Sequence, residues 1–194
     1  MSFYVQIETK GSGFLMQIRK NDKSVTKTID TVSESVVKYM IKTGKTLCTA
    51  ESCTGGMISQ MITSVPGASN IFLGGVCSYS EKIKQKLLGV KSETLEKYTV
   101  YSAQTASEMS RGALELFGAD VAIAVTGVAG PGDFSKEKPA GTVYVSVATK
   151  DKEIVRDLKV YQLADKPDRE TVRRISSLKA LEMVLELFAQ EKDK

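Results

Sequence analysis

Among the residue types able to do chemistry, the segment Glu51-Ser52-Cys53-Thr54-Gly55-Gly56 stands out. It joins a hydroxyl nucleophile candidate, Ser52, to glycines that let backbone amides approach a ligand. It also opens the helical pattern Met57, Ile58, Met61 and Ile62, whose N-terminal dipole favours an anion. A nucleophile placed there could draw an oxyanion hole from nearby amides. The competing reading is that Ser52 or Thr54 caps the helix and Gly55-Gly56 makes the turn. The chain contains no histidine, which excludes Ser-His-Asp and Cys-His arrangements and removes the commonest zinc ligand. The remaining activators are lysine, a carboxylate or an amino terminus.

Lys84 is the lysine in reach, because with Tyr79 and Ser80 it follows a strand-like run and could face the same crevice. A lysine base must lose its proton, which requires a desolvated pocket or a neighbouring cation, for which Lys82 and Lys86 are candidates. The alternative is that all three lysines lie on a solvated helix face. Tyr79 is open between core packing and a hydroxyl that relays a proton. Cys53 is a rival nucleophile, although adjacent residues on a strand or turn point differently and only one of the two can be aimed. Glu51, Asp120 and Asp133 have no spacing characteristic of a magnesium site. The loop Gly127 to Gly132 lacks the third glycine of the dinucleotide fingerprint, and no Walker A sequence is present. No cofactor and no metal are expected.

The elements that position these groups read as an α/β protein. Phe3 to Glu8 and Phe14 to Arg19 flank Lys10-Gly11-Ser12-Gly13 as a β-hairpin. Thr31 and Glu34 have capping-box spacing ahead of a helix bearing Val32, Val36, Val37, Met40 and Ile41, closed by Gly44. Thr46 to Ala50 reads as a strand, Gly74 to Ser80 as a second buried strand, and Glu81 to Leu88 as a helix. Ser102 predicts the cap of a helix reaching Phe117 and closed by Gly118, with Ala106, Met109, Ala113 and Leu116 inward. Asp120 to Thr126, nearly all apolar, reads as a central strand. Strands over Gly141 to Ala148 and Glu153 to Tyr161 precede a last helix from about Arg169, with Val172, Ile175, Leu178, Leu181, Leu185 and Phe188 as its apolar stripe. This order predicts a layered α/β sandwich with a mixed β-sheet flanked by helices, plus a short N-terminal β-hairpin extension. The expected division is an extension at 1–30 and one domain at 31–194.

The chain has 194 residues, 42% hydrophobic and 26% charged, and no apolar run near the roughly 20 residues that cross a bilayer. No secretory signal is evident and three cysteines cannot all pair in one chain, so a reduced, cytoplasmic protein without a membrane partner is expected. A net charge of +4 does not demand nucleic-acid binding, and the group Arg169, Arg173 and Arg174 suits one phosphate of a metabolite equally well. Symmetric dimers are common at this size, and a homo-oligomer is expected.

Several ordered motifs carry a resemblance: Thr49 to Gly56, Val65-Pro66-Gly67-Ala68-Ser69, Ser78-Tyr79-Ser80 with Lys84, Leu88-Gly89-Val90, Val125 to Pro131 and Lys138-Pro139-Ala140-Gly141-Thr142-Val143. From about Val32 to Phe188 the sequence closely resembles the CinA carboxy-terminal domain family, the nicotinamide-nucleotide amidases. The resemblance implies hydrolysis of nicotinamide mononucleotide to nicotinate mononucleotide and ammonia, in pyridine nucleotide (NAD) salvage. It further implies Ser52 as nucleophile, Lys84 as its base and Tyr79 assisting by hydrogen bonding, with amides near Cys53, Thr54, Gly55 and Gly56 holding the oxyanion. Thr126, Gly127, Ala129 and Gly130, with Arg173, are then the substrate-phosphate cradle. Many relatives carry an amino-terminal domain resembling molybdopterin-binding proteins, which this sequence does not contain. Gly132-Asp133-Phe134-Ser135 is less glycine-rich than the family's usual loop, which implies a different substrate rim. The alternative function is a non-catalytic nucleotide- or partner-binding module of the competence or damage-inducible kind, since fold families keep binding after losing chemistry.

Overall fold

The computed structural model describes residues 2–9, 12–19, 23–164 and 167–189. Strands β1 (Ser2–Thr9) and β2 (Ser12–Arg19) pair antiparallel with Thr9 opposite Ser12, the expected hairpin. Helix α1 (Lys23–Thr43) begins eight residues before the expected cap at Thr31 and crosses the expected boundary after residue 30. The run from Lys23 to Asp30 contains neither glycine nor proline, so nothing stops the helix from propagating backwards past the capping-box pattern.

The main sheet has the strand order β4-β3-β5-β6-β7. Strand β3 (Leu47–Glu51) runs parallel to β4 (Phe72–Cys77) and to β5 (Val121–Gly127), while β6 (Val143–Ala148) and β7 (Glu153–Asp157) continue antiparallel. The sheet is mixed, as expected. Every residue of β3 and β5 is buried, because helices cover both faces. On one face lie α1, α2 (Met57–Thr63) and α7 (Arg169–Ala189), packed on Leu47, Val121, Ile123 and Val125. On the other lie α3 (Glu81–Leu88), α4 (Ser92–Tyr98) and α5 (Ala103–Phe117), packed on Cys48, Ala50, Ala122 and Ala124. Small side chains on this second face let α5 approach closely. Gly112 continues that logic, since a Cβ there would collide with the Leu88 carbonyl that ends α3.

Four expectations are corrected. Strand β4 is an edge strand that exposes Leu73, Gly75 and Cys77, so it is not buried, and Ser78 to Ser80 form the turn into α3. Leu116 faces solvent; Thr105, Ala106, Met109, Ser110 and Ala113 form the buried face of α5, and Phe117 packs against the core in its place. The strand expected to reach Tyr161 ends at Asp157, because Lys159 adopts a left-handed φ of 45° and turns the chain into α6 (Val160–Leu163). Leu185 is only partly buried, and the inward surface of α7 is broader than one stripe, adding Ser176, Ala180, Val184 and Leu187. The Ser102 cap of α5, which accepts from the Thr105 amide at 3.2 Å, and its left-handed Gly118 terminus match the expected boundaries. No helix among the described residues is long and apolar enough to cross a membrane.

Candidate active site

Because β4, β3 and β5 are parallel neighbours, their carboxyl ends meet at one edge of the sheet, where ligands bind in open α/β folds. Glu51 pairs with Cys77 on one side and with Val125 on the other. The ladder continues one step, with the Ser52 amide donating to the Val125 carbonyl at 3.0 Å and the Ser78 amide to the Glu51 carbonyl at 2.8 Å. The register therefore brings Ser52, Ser78 and Thr126 side by side.

What caps α2 decides what Ser52 is free to do. Neither Ser52 nor Thr54 does so. The buried Glu51 carboxylate accepts from the Ile58 amide at 3.0 Å, the Ser59 amide at 2.8 Å and the Ser59 hydroxyl at 2.7 Å. It fills the role a capping side chain at Gly56 would have, and it neutralises the amides expected to attract a substrate anion. Gly55 and Gly56 take left-handed φ values of 61° and 92°, folding the chain sharply between Ser52 and α2. The Gly55 amide is turned back onto the Ser52 carbonyl at 3.1 Å, so it is not an oxyanion donor. The Cys53 amide donates to no carbonyl among the described residues.

Lys84 Nζ lies 2.9 Å from Ser52 Oγ and donates to the Ser78 carbonyl at 2.6 Å. The Lys84 side chain is fully buried and makes no ion pair among the described residues. Burial pushes its pKa down from 10.5 to about 8. The expected influence of Lys82 and Lys86 is corrected: both lie on the exposed side of α3, and desolvation alone lowers the value. Near neutral pH about a tenth of the molecules carry Lys84 as a free amine, enough to serve as a base. Burial drives the Cys53 thiol up to about 12, so beside Ser52 it is a protonated, inert neighbour.

A cavity of about 230 Å³ opens over Ser52 and Cys53. Gly127 lines it from the end of β5, Val128, Ala129, Gly130 and Gly132 from the loop that follows, Val100 and Tyr101 from the α4–α5 connection, Tyr79 from the β4–α3 turn, and Arg169 from the start of α7. Lys84 stands outside this lining, behind Ser52. Tyr79 is 63% exposed, and its hydroxyl accepts from Arg169 at 2.9 Å rather than contacting Ser52. The same guanidinium donates to the Gly130 carbonyl at 2.9 Å, joining two rims of the cavity.

Arg173, Thr54, Gly55, Gly56 and Thr126 are not brought to the cavity lining. Arg173 clasps the Thr54 carbonyl through Nε and a terminal nitrogen at 3.1 and 2.9 Å and pairs with Glu170, so it fastens α7 to the loop after Ser52. The Thr126 hydroxyl donates to the Val100 carbonyl at 2.7 Å, supporting the opposite wall. Asp133 and Asp120 each accept from a backbone amide, of Ala140 and Thr46 respectively, and share no site with Glu51. Sequence reasoning missed Arg169, although it belongs to the basic group already singled out, and it missed Tyr101, for which no local signal exists.

The CinA C-terminal domain model matches residues 29–188. A CinA-like protein of Thermotoga neapolitana is 42% identical over 151 residues, which is 78% of this chain and 36% of that protein. One of Desulfotalea psychrophila is 41% identical over 162 residues, covering 84% of this chain and 38% of its own. The chain thus spans little more than a third of the length of these curated relatives. Among solved structures, the competence/damage inducible protein CihA from Agrobacterium tumefaciens superposes with a TM-score of 0.78 at 34% identity, covering 82% of this chain and 95% of its own. A competence-damaged protein (CinA) superfamily protein from Escherichia coli gives 0.77 at 30% identity, covering 88% and 95%. In sequence and in three dimensions, this chain belongs to the CinA C-terminal domain family.

Proposed function

We propose that residues 31–194 form an amidohydrolase that deamidates nicotinamide mononucleotide by a Ser52-Lys84 mechanism. The observation that carries this reading is the 2.9 Å contact between Ser52 Oγ and the Nζ of a buried lysine with no ion-pair partner among the described residues. Burying a lone ammonium destabilises a fold, so the arrangement calls for a use beyond packing. The neutral Lys84 amine takes the proton of Ser52 as Oγ attacks the carboxamide carbon. The Cys53 amide, which meets no carbonyl among the described residues, is the donor best placed by sequence for the tetrahedral oxyanion. The Lys84 ammonium then returns its proton to the leaving nitrogen, which departs as ammonia. Water attacks the acyl carbon as Lys84 takes one of its protons, the bond between that carbon and Ser52 Oγ breaks, Lys84 returns the proton to Oγ, and nicotinate mononucleotide leaves.

Arg169 takes the anion-binding role expected of Arg173, since it lines the cavity while Arg173 is committed to Thr54. Tyr79 acts through Arg169, holding the guanidinium at the rim. Ammonia release from nicotinamide mononucleotide, measured with chelator present and with Ser52→Ala as control, tests the reading. Turnover that vanishes in the variant supports it, and ligand binding without turnover by the folded wild type would favour a binding module instead. A cytoplasmic homodimer is part of the same proposal, and sedimentation as a clean monomer would remove the dimer.

A further inference from the structure

Val100 and Tyr101 line the cavity from residues 98–102, a segment whose backbone carbonyls are held by side chains. Four consecutive carbonyls each receive a side-chain donor. The Thr126 hydroxyl reaches the Val100 carbonyl at 2.7 Å. The Ser102 and Thr105 hydroxyls reach that of Thr99 at 3.0 and 2.9 Å. Lys138 Nζ takes the two that remain, Tyr98 at 3.1 Å and Tyr101 at 2.7 Å, and donates also to the Thr99 hydroxyl at 2.7 Å.

Thr99 sits at a left-handed φ of 67°, a conformation that costs a β-branched residue and persists only when its surroundings fix it. Lys138 itself comes from the far end of the loop after β5, where it precedes Pro139. It forms no salt bridge among the described residues, so three oxygens and no carboxylate receive its ammonium. The two segments meet a second time through Tyr101 and Phe134, whose rings pack edge to face at 4.9 Å. One amine therefore ties a strained wall segment to the loop that lines the opposite side of the cavity.

We propose that Lys138 is a positioning residue whose ammonium occupies a cation site made by the Tyr98 and Tyr101 carbonyls and the Thr99 hydroxyl, fixing Val100 and Tyr101 as the substrate-binding wall. It touches no reacting atom. Its loss leaves Ser52 and Lys84 in place and slackens the wall, so substrate affinity falls more than the chemical step does. A small alkylammonium ion carries the same charge and donors, and can fill the vacated site in Lys138→Ala.

Amide hydrogen exchange of the peptide spanning 98–105, in Lys138→Ala and wild type without substrate, tests the site. Exchange should quicken at least about ten-fold there while β5 is unchanged. Methylammonium at high concentration should restore protection and tetramethylammonium, which has no N–H, should not. Lys138→Arg, which keeps charge and donors, should stay close to wild type. With nicotinamide mononucleotide, the KM of Lys138→Ala should rise about ten-fold with kcat within about two-fold, and methylammonium should lower it again.

Unchanged exchange at 98–105, or equal restoration by both ions, overturns the proposal, as does a loss confined to kcat. The kinetic arm rests on the deamidase reading and the exchange arm does not. Absence of turnover by the wild type would count against that reading alone, with the exchange result still deciding the site. Should Lys138→Ala fail to fold, Lys138→Met keeps the stem without the ammonium and carries the same expectations for exchange and KM, with no restoration by either ion.

Discussion

Replacing Lys84 by methionine separates what this residue does for the fold from what it does for chemistry. Methionine is unbranched, flexible and apolar, and it fills the channel that the lysine stem occupies. Depression of the Lys84 pKa from 10.5 to about 8 means that holding the protonated form in the folded state costs about 3 kcal/mol. The variant removes that cost at neutral pH. It also loses two hydrogen bonds, to Ser52 Oγ and the Ser78 carbonyl, worth about 1 kcal/mol each, with a further penalty if that carbonyl stays dry. These contributions nearly cancel, so Lys84→Met at pH 7 should lie within about 1 kcal/mol of wild type, although most losses of buried contacts cost more.

The pH dependence is sharper than the absolute value. Because the folded pKa of Lys84 lies below the unfolded one, the unfolded chain binds a proton that the folded protein lacks between pH 8 and 10.5. Wild-type stability contributed by this group therefore rises with pH across that window, and below pH 8 the full cost is present. Between pH 7 and 9.5 the wild type should gain about 2 kcal/mol relative to Lys84→Met. The buried Cys48 and Cys53 thiols, both raised to about 12, push stability the other way above pH 9, but they are common to both proteins and cancel in the difference. Urea unfolding of both proteins at the two pH values is the assay. A difference that stays constant to within about 0.5 kcal/mol would refute a desolvated lysine, and activity surviving in the variant would refute its role as base.

Three further outcomes follow from the same geometry. With the Lys84 amine as the proposed base and its pKa lowered to about 8, kcat/KM should climb through pH 8 and level off above it, and a flat profile between pH 6.5 and 9 would contradict this. Iodoacetamide should leave turnover intact, since the Cys53 thiol is held near 12 and buried, and Cys53→Ser should remain active; inactivation by the reagent with label on Cys53 would revive a cysteine nucleophile. Arg169→Ala should raise KM about ten-fold with little change in stability, while Arg173→Ala, which frees the Thr54 carbonyl, should cost about 1–2 kcal/mol of stability; urea unfolding and steady-state kinetics read the two effects, and the reverse assignment would move the anion site to Arg173.

The parts of this molecule legible in the sequence are those whose physics is local. Ser102 and Gly118 mark α5 because a hydroxyl cap and a left-handed terminus are properties of a few adjacent residues. The uninterrupted apolar run of β5 announces a strand covered on both faces. Where α1 begins was illegible, since a capping-box pattern inside a helix looks the same as one at its start. The exposure of Leu73, Gly75 and Cys77 on one face of β4 depends on how far the helices reach over the edge of the sheet, which Phe72 to Cys77 do not encode.

At the site, residue types could be read but partners could not. Ser52 and Lys84 are 32 positions apart, and only the parallel register of β3 with β4 and the diversion of Glu51 to cap α2 bring them to 2.9 Å. Arg169 and Arg173 stand one helical turn apart, so spacing cannot choose between them. Docking of α7 against the Thr54 carbonyl makes the choice.

The central claim is that Ser52, relieved of its proton by Lys84, attacks the substrate amide. It is tested most directly by quenching the protein with acid during turnover of nicotinamide mononucleotide and mapping its peptides by mass spectrometry, with Lys84→Ala and Ser52→Ala alongside. A nicotinate mononucleotide acyl group is expected on the peptide bearing Ser52, at the Ser52 hydroxyl, and none in either variant. The acyl group on Cys53, or ammonia release persisting in Ser52→Ala, would contradict it.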